Sequence, residues 1–197
     1  MLVESEGTKL FSAENIQINS NPVISYFCKM NPDILKQIIQ SRKSIFPKDY
    51  TAEEIPQEIL EEILNSAHFA PNHKRTKPWR FKIFRGLQKT ELGEKLAETY
   101  REITRPEVFL ERKYVDISEK IKKTDAVVAV CVNFSGLVQE WEEVAAVAMG
   151  VQNMYLTCTA NNVGCYWSTP NTKDYIGDYL GLQENQKCLG FFYMGMV

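Results

Sequence analysis

The stretch VAAVAMGVQNMYLTCTANNVGCYWSTPNT, residues 144–172, contains no charged residue. Its polar residues, among them Gln152, Asn153 and Asn161, interrupt it too often for a membrane span. A helix without a charged face is expected to be buried on all sides, and Gly164 is placed to end it. One small domain cannot wrap such a helix completely. The stretch therefore predicts a long buried central helix at the interface of a homodimer.

Apolar patterns on both sides of this stretch predict a sheet. Residues 126–132 form a continuous apolar run, which is typical of a strand covered on both faces. Residues 80–85 alternate between polar and apolar and are bounded by Gly86, which predicts a strand. Two further strands are predicted at 165–167 and 188–196.

Helical spacing of apolar residues predicts the remaining elements. Helices are expected to end near Ser41, to begin near Pro56 and stop at Pro71, and to cover about 87–103, 110–124 and 171–180. The order predicts an α+β domain over residues 31–197, with a mixed central sheet of four to five strands flanked by helices. Residues 1–30 are polar and mixed, and we expect a loosely ordered N-terminal extension there.

Composition excludes several classes of function. The net charge is −2, so bulk attraction to nucleic acid is not expected. The five cysteines form no C-x-x-C pair and the chain has two histidines, so we expect reduced structural thiols and no metal site. The acidic start is not followed by an apolar stretch of signal-peptide length. We expect a cytoplasmic protein that binds neither nucleic acid nor a membrane.

The segment APNHKRTKPWRF, residues 70–81, concentrates basic residues in an otherwise slightly acidic chain. Its simplest chemical use is to hold an anion or an electron-rich ring at the mouth of the following strand. A solvated basic loop before a strand is the alternative interpretation.

Four local motifs, taken together, resemble the FMN-dependent nitroreductase family, closest to its small single-domain NAD(P)H nitroreductases. The motifs are Ser41-Arg42-Lys43-Ser44, residues 70–74 with 78–81, Trp141-Glu142, and residues 164–169 with 190–195. They occur in the family's order and spacing, and the resemblance runs from about Asn31 to Val197. It implies the nitroreductase-like fold, FMN as cofactor, and a homodimer whose flavin sites are shared between subunits.

The resemblance assigns the flavin phosphate to Arg42, Lys43 and Ser44. They fall near a helix C-terminus, where the helix dipole repels anions, so side chains must hold the phosphate by charge-assisted hydrogen bonds. The alternative is that Arg42 and Lys43 only cap the last carbonyls of the helix.

Two further groups of residues are assigned to the flavin ring by the same resemblance. Phe69, Asn72 and His73 come from the partner subunit, with His73 against the ring or its polar edge. Ser168, Thr169 and Trp167 run beside the ring and offer it backbone groups. A histidine bonded to backbone and a tryptophan packed in the core are the respective alternatives.

The resemblance implies hydride transfer from NADH or NADPH, through flavin N5, to a small oxidant such as a nitroaromatic, quinone or enone. The mechanism would be ping-pong, and no catalytic side chain is required. A dimeric flavin-binding or flavin-sensing module with negligible turnover is the alternative outside enzymes. Dehalogenation or flavin destruction would need a lid, for which 104–109 is the only candidate.

Three positions depart from the family pattern. Phe46 stands where many members carry a basic residue, and Arg75 and Lys77 stand where Asn and Gln are usual. The chain also ends at Val197, where relatives often continue with a tail onto the other subunit, so Arg42 and Lys43 are expected to carry more of the phosphate binding.

Overall fold

The computed structural model describes residues 31–197, so the predicted extension over 1–30 lies outside the described residues. Residues 37–197 form one compact unit, and the described residues 31–36 fall outside it. None of the helices in the described part has the length and hydropathy of a membrane span. The elements are α1 (Pro32–Ser41), α2 (Gln57–Ser66), β1 (Trp79–Phe84), α3 (Gly86–Ile103), α4 (Glu111–Lys122), β2 (Ala126–Asn133), α5 (Glu140–Ala160), β3 (Val163–Ser168) and β4 (Gln186–Met196).

The α+β class and the four predicted strands are confirmed, but the prediction of a mixed sheet was wrong. The strand order is β1-β2-β4-β3, and each neighbouring pair in the described sheet is antiparallel. Helices α3 and α4 pack against each other and return the chain to the end of the sheet where β1 finished, with Phe84 opposite Val127. Strands β2 and β3 do run in the same direction, but β4 lies between them.

The sheet separates two apolar layers. Alternate β2 side chains contribute to each layer, and seven of its eight residues are buried, which confirms a strand covered on both faces. Helices α2 and α5 cover one face, and α3 and α4 cover the other. The residues of α5 that pack inward include Val147, Val151 and Met154.

The predicted helix over 171–180 was wrong. The structure has only a short 3-10 helix, Asn171–Asp174, followed by turns. Ile176 and Leu180 are buried four residues apart, which imitates a helical pattern. Gly177 lowers the helical propensity between them, and Gly181 has a positive φ of 59° that ends the turn.

Helix α5 is covered on only some sides by its own chain, as predicted for a long helix that one small domain cannot wrap, and its burial by a second subunit stays a prediction. One side packs on the sheet, but Trp141 is 66% exposed, Met149 is 40% exposed, and Ala148 and Gln152 are also exposed. Their spacing places them on one stripe of the helix. The charges of α5 lie in its first turn, and the rest of the helix has none, so a mostly apolar stripe is exposed in the isolated chain.

Candidate functional site

The segment Arg42-Lys43-Ser44 begins directly after α1, as predicted. The Arg42 guanidinium carbon lies 5.4 Å from the centre of the Tyr155 ring on α5. Within residues 31–197, none of these three side chains has a hydrogen-bond or ion-pair partner in the protein. Arg42 is half-buried, while Lys43 and Ser44 are exposed. Carbonyl capping by these side chains is not observed, and their donors are available to an external anion.

Tyr50 anchors this segment to the sheet. Its ring lies over two glycines that pair across β3 and β4, Gly164 and Gly195. A methyl group at Gly195 would come within 2.5 Å of the Tyr50 ring. The phenol donates a hydrogen bond to the Ile45 carbonyl at 2.8 Å, and its burial raises the pKa of Tyr50 well above the ordinary value. The chain after Arg42 is therefore held in one path along the sheet edge.

Tyr155 connects the Arg42 segment to Trp167. Its hydroxyl accepts a hydrogen bond from the Trp167 backbone N–H at 2.7 Å, and its ring packs edge-on against Phe192 at 4.9 Å. The end of β3 and the Arg42 segment thus meet on one residue of α5. The role of Tyr155 was not predicted from the sequence, because an aromatic residue in an apolar helix is usually a core residue.

The Trp167 indole is partly buried against the core, as the packing alternative expects, but its N–H is a buried donor without a partner in the described residues. Gly190 lies beside it with φ of 144°, next to an irregularity in the β2–β4 register, and a Cβ there would be 2.7 Å from the indole nitrogen. Thr169 is exposed and Ser168 half-buried. This close approach requires glycine and brings residues 167–169 against β4.

His73 lies at the other end of α5. Its Nδ1 is 2.6 Å from the Glu142 carboxylate, so it is bonded to a side chain and not to backbone as the alternative held. The Lys74 amine donates to the Leu137 carbonyl at 2.9 Å. Asn72 accepts a hydrogen bond from the Lys77 backbone N–H at 3.0 Å and thereby closes the loop. In this chain Asn72 is therefore a loop-shaping residue.

The loop between His73 and β1 carries unusual backbone angles. Lys74, Arg75 and Lys77 have φ values of 50°, 55° and 45°. The left-handed backbone conformation costs a residue with a Cβ roughly 1–2 kcal/mol of conformational energy. The Thr76 hydroxyl in the same loop is buried without a partner among the described residues. Strained backbone and unpaired polar groups concentrate at functional sites, which favours the binding interpretation over a simple solvated loop.

Phe69 is 85% exposed although it is a large apolar side chain. It ends a 3-10 turn, Ala67–Phe69, that packs on the middle of α5, where a Cβ on Gly150 would be 3.2 Å from the Ala67 carbonyl. The Asn153 amide donates to the Ser66 carbonyl at 3.1 Å and fixes the turn. The ring of Phe69 therefore extends the exposed apolar surface of α5.

The predicted residues fall into two groups that one chain does not bring together. Arg42 and Trp167 meet at Tyr155, whereas His73 meets Glu142. These two positions on α5 are thirteen residues apart, which corresponds to about 20 Å along the helix. Each chain therefore holds two separate halves of the predicted site.

The comparisons with known proteins agree on one family. A profile of the nitroreductase family matches residues 39–196, most of the chain. A Bacillus subtilis protein named "Putative NAD(P)H nitroreductase YfhC" is 25% identical over 174 residues, covering 82% of this chain and 84% of its own.

Solved structures with the same fold include a nitroreductase-like family protein from Bacillus cereus, at 24% identity and a TM-score of 0.68, covering 82% of this chain and 84% of that one. A nitroreductase with bound FMN from Bacteroides fragilis has 20% identity and a TM-score of 0.62, covering 82% and 87%. The FMN-dependent nitroreductase NfnB from Mycobacterium smegmatis, in complex with NADPH, has 16% identity and a TM-score of 0.68, covering 84% and 88%. At these identities the structural likeness supports the fold, and with the profile match it shows that the chain belongs to the nitroreductase family.

Proposed function

We propose that this protein is an FMN-dependent oxidoreductase that transfers hydride from NADH or NADPH to a small electron-poor acceptor, a nitroaromatic, quinone or enone, by a ping-pong mechanism. The observation that carries the proposal is the half-buried Arg42 guanidinium, whose donors have no partner within residues 31–197 and which stands beside Lys43 and Ser44. Such a set of cationic and hydroxyl donors fits a phosphate monoester.

The remaining polar groups fit a flavin ring near that phosphate. The unpaired indole N–H of Trp167 and the backbone of Ser168 and Thr169 lie at the same end of α5 as Arg42. When bound, FMN would supply the redox chemistry itself. The residues at this end would hold the phosphate, orient the ring and keep water from one of its sides.

A homodimer completes the site in this proposal. We infer a two-fold axis perpendicular to α5, which pairs the exposed stripe of the helix antiparallel with its copy, whereas an axis along the helix would keep like ends together. The Glu142 end of one helix then approaches the Tyr155 end of the other. His73, Asn72 and Phe69 of one subunit would thus face Arg42 of the other, and the exposed aromatic surface of Phe69 would be covered.

Within this site His73 would act on the ring electrostatically. The Glu142 carboxylate fixes one nitrogen of the imidazole, which leaves Nε2 available to donate or accept at the polar edge of the ring. Lys74, Arg75 and Lys77 add positive charge that favours an anionic reduced flavin. We place the protein in the cytoplasm, since four described cysteines are buried free thiols, as a reducing compartment allows.

The visible spectrum of the purified protein tests the proposal. We expect a yellow protein, or a colourless one that becomes yellow with added FMN, which oxidises NADH or NADPH when a nitroaromatic or quinone is supplied. Parallel double-reciprocal plots would support the ping-pong order. A protein that takes up no FMN would overturn the proposal. FMN binding with reduction no faster than that of free FMN would instead favour the flavin-binding module.

A further inference from the structure

A cavity lies on the face of the sheet opposite to α5. It has a volume of about 720 Å³ and is enclosed by α3, α4, their connection and the segment that follows β3. Its apolar and aromatic walls include Leu96, Tyr100, Val108, Ile117, Tyr175 and Tyr193. Eight of its seventeen lining residues are polar or charged, and a cavity of this volume with both apolar walls and polar groups is of the size of small-molecule sites.

Lys120 is the polar feature of this cavity. Its amine lies 4.5 Å from the ring centre of Tyr193 and 5.3 Å from that of Tyr166, and these two rings stack at 4.9 Å. Among residues 31–197, no carboxylate lies within 4 Å of the Lys120 amine. Burial without a counter-ion lowers the pKa of Lys120 to about 8, so the amine is still mostly protonated at neutral pH.

Such an arrangement is costly for folding. A half-buried cation that has no carboxylate recovers only part of its lost hydration from the two rings. An apolar residue of the same length would pack over Tyr166 and Tyr193 without that cost. The lysine is therefore better explained by a ligand than by stability.

The charged residues of the cavity indicate the sign of the ligand's charge. Arg105 and Lys113 also line it, and the Lys113 amine lies over the Tyr100 ring at 4.7 Å. Asp116 is the one carboxylate among the lining residues, and it pairs with Arg112 at 3.7 Å on a largely exposed surface. Lys113 and Lys120 lie over aromatic rings, and the three cations outnumber the single carboxylate of the lining, which favours a flat organic anion.

We propose that this cavity binds aromatic carboxylates, with the carboxylate on the Lys120 amine and the ring against the tyrosine walls. Ser168 lines the cavity and also belongs to the segment assigned to the flavin ring. Because β3 is an edge strand, we infer that the cavity reaches the candidate flavin site around this edge, where an aromatic acid bound in the cavity could serve as the electron acceptor. That last step rests on the proposed function, whereas the binding itself does not.

Calorimetry with a pair of non-reducible ligands tests the binding on the protein as purified. We expect 4-methylbenzoate to bind at least tenfold more tightly than 4-methylbenzyl alcohol, which has the same ring and no charge. Lys120→Met should remove this preference, and Lys120→Arg should keep most of it. Lys123→Met removes the same charge from the end of α4 outside the cavity lining and should leave both affinities within twofold.

Three results would overturn the proposal: equal affinity for acid and alcohol, no binding of the acid, or unchanged acid binding in a folded Lys120→Met variant. Circular dichroism of each variant checks folding. A yellow, active protein that fails this test overturns the cavity assignment alone, whereas a protein that binds the acid but no FMN overturns the proposed function alone. In an active enzyme, Lys120→Met should lower kcat/KM for 4-nitrobenzoate at least tenfold and that for 4-nitrobenzyl alcohol less than twofold.

Discussion

The two ends of α5 are built in opposite ways. At the C-terminal end, Tyr155 holds the Arg42 segment and the end of β3 in a well-packed cluster, and its cationic donors have no partner in the described part of the chain. At the N-terminal end, His73 is already paired with Glu142, but its loop is exposed and has strained backbone angles.

On the proposed function, this difference means that neither end is a complete site. The first end has unpaired donors on a rigid frame, and the second has basic groups on a loop with little to pack against in its own chain. Each lacks what the other provides, and the exposed apolar stripe of α5 joins them. A two-fold dimer would therefore satisfy both ends with one interface.

A charge in the middle of the stripe should have the largest effect on this arrangement. Met149 lies near the centre of α5, so Met149→Glu would bring two carboxylates together close to the two-fold axis. We expect dissociation to monomers and loss of FMN together, measured by sedimentation velocity and flavin absorbance. Val115→Glu on exposed α4 is the control and should change neither. A Met149→Glu protein that is still dimeric and flavin-bound would contradict a dimer interface along this stripe of α5.

Removal of the Arg42 guanidinium should weaken flavin binding without affecting the dimer. Charge-assisted hydrogen bonds to phosphate contribute about 1.5–3 kcal/mol, so Arg42→Ala should raise the FMN dissociation constant about 10- to 150-fold. Flavin fluorescence quenching measures this. Arg112→Ala, which removes an exposed arginine of α4, should leave the affinity unchanged. Equal affinities in the two variants would exclude the C-terminal end as the phosphate site.

The link through Tyr155 predicts a smaller effect, on stability. Tyr155→Phe keeps the ring over Phe192 but leaves the Trp167 N–H without its acceptor, which should cost about 1–3 kcal/mol in the free energy of unfolding. Urea titration followed by tryptophan fluorescence checks this. Tyr175→Phe, at a tyrosine that is 63% exposed, is a comparison that should cost less. No difference from the unmodified protein would mean that the two segments are held independently.

Strain at the N-terminal end predicts the smallest effect, of opposite sign. Arg75→Gly relieves a positive φ, offset in part by the greater freedom of glycine in the unfolded chain, so stability should rise by about 0.5–1 kcal/mol. A glycine at an exposed position in the middle of a helix, Glu62→Gly in α2, should lower it by about 1 kcal/mol. Thermal or urea unfolding measures both. Destabilisation by Arg75→Gly would show that the arginine side chain, and not the backbone, stabilises this loop.

Much of the fold follows from local patterns in the sequence, because α5 and β2 bury continuous apolar surface that charge-free runs reveal. The direction of β2 relative to β1 does not, since it depends on α3 and α4 packing as a returning pair. The false helix over 171–180 arose because Ile176 and Leu180 have helical spacing while glycines set the backbone.

The placement of the candidate site residues was predictable where a motif coincides with the end of an element, as at Arg42 and Trp167. The residues that hold those candidate residues in place were not predictable. Tyr50 lies over Gly164 and Gly195, and these contacts join residues more than a hundred positions apart. The pairing of His73 with Glu142 likewise spans sixty-nine positions and leaves no local signal.

Subunit complementation tests most directly whether opposite ends of α5 from two chains form each flavin site. Two variants, Arg42→Glu and His73→Glu, are purified separately, and each alone should retain little FMN and little NAD(P)H-dependent activity. After mixing, unfolding and refolding, a heterodimer carries both lesions in one shared site and leaves the other site intact. We predict recovery of about a quarter of the unmodified FMN content and activity in an equal mixture. If both ends of the site came from the same chain, every site would keep one lesion, and a mixture with no recovery would contradict the account.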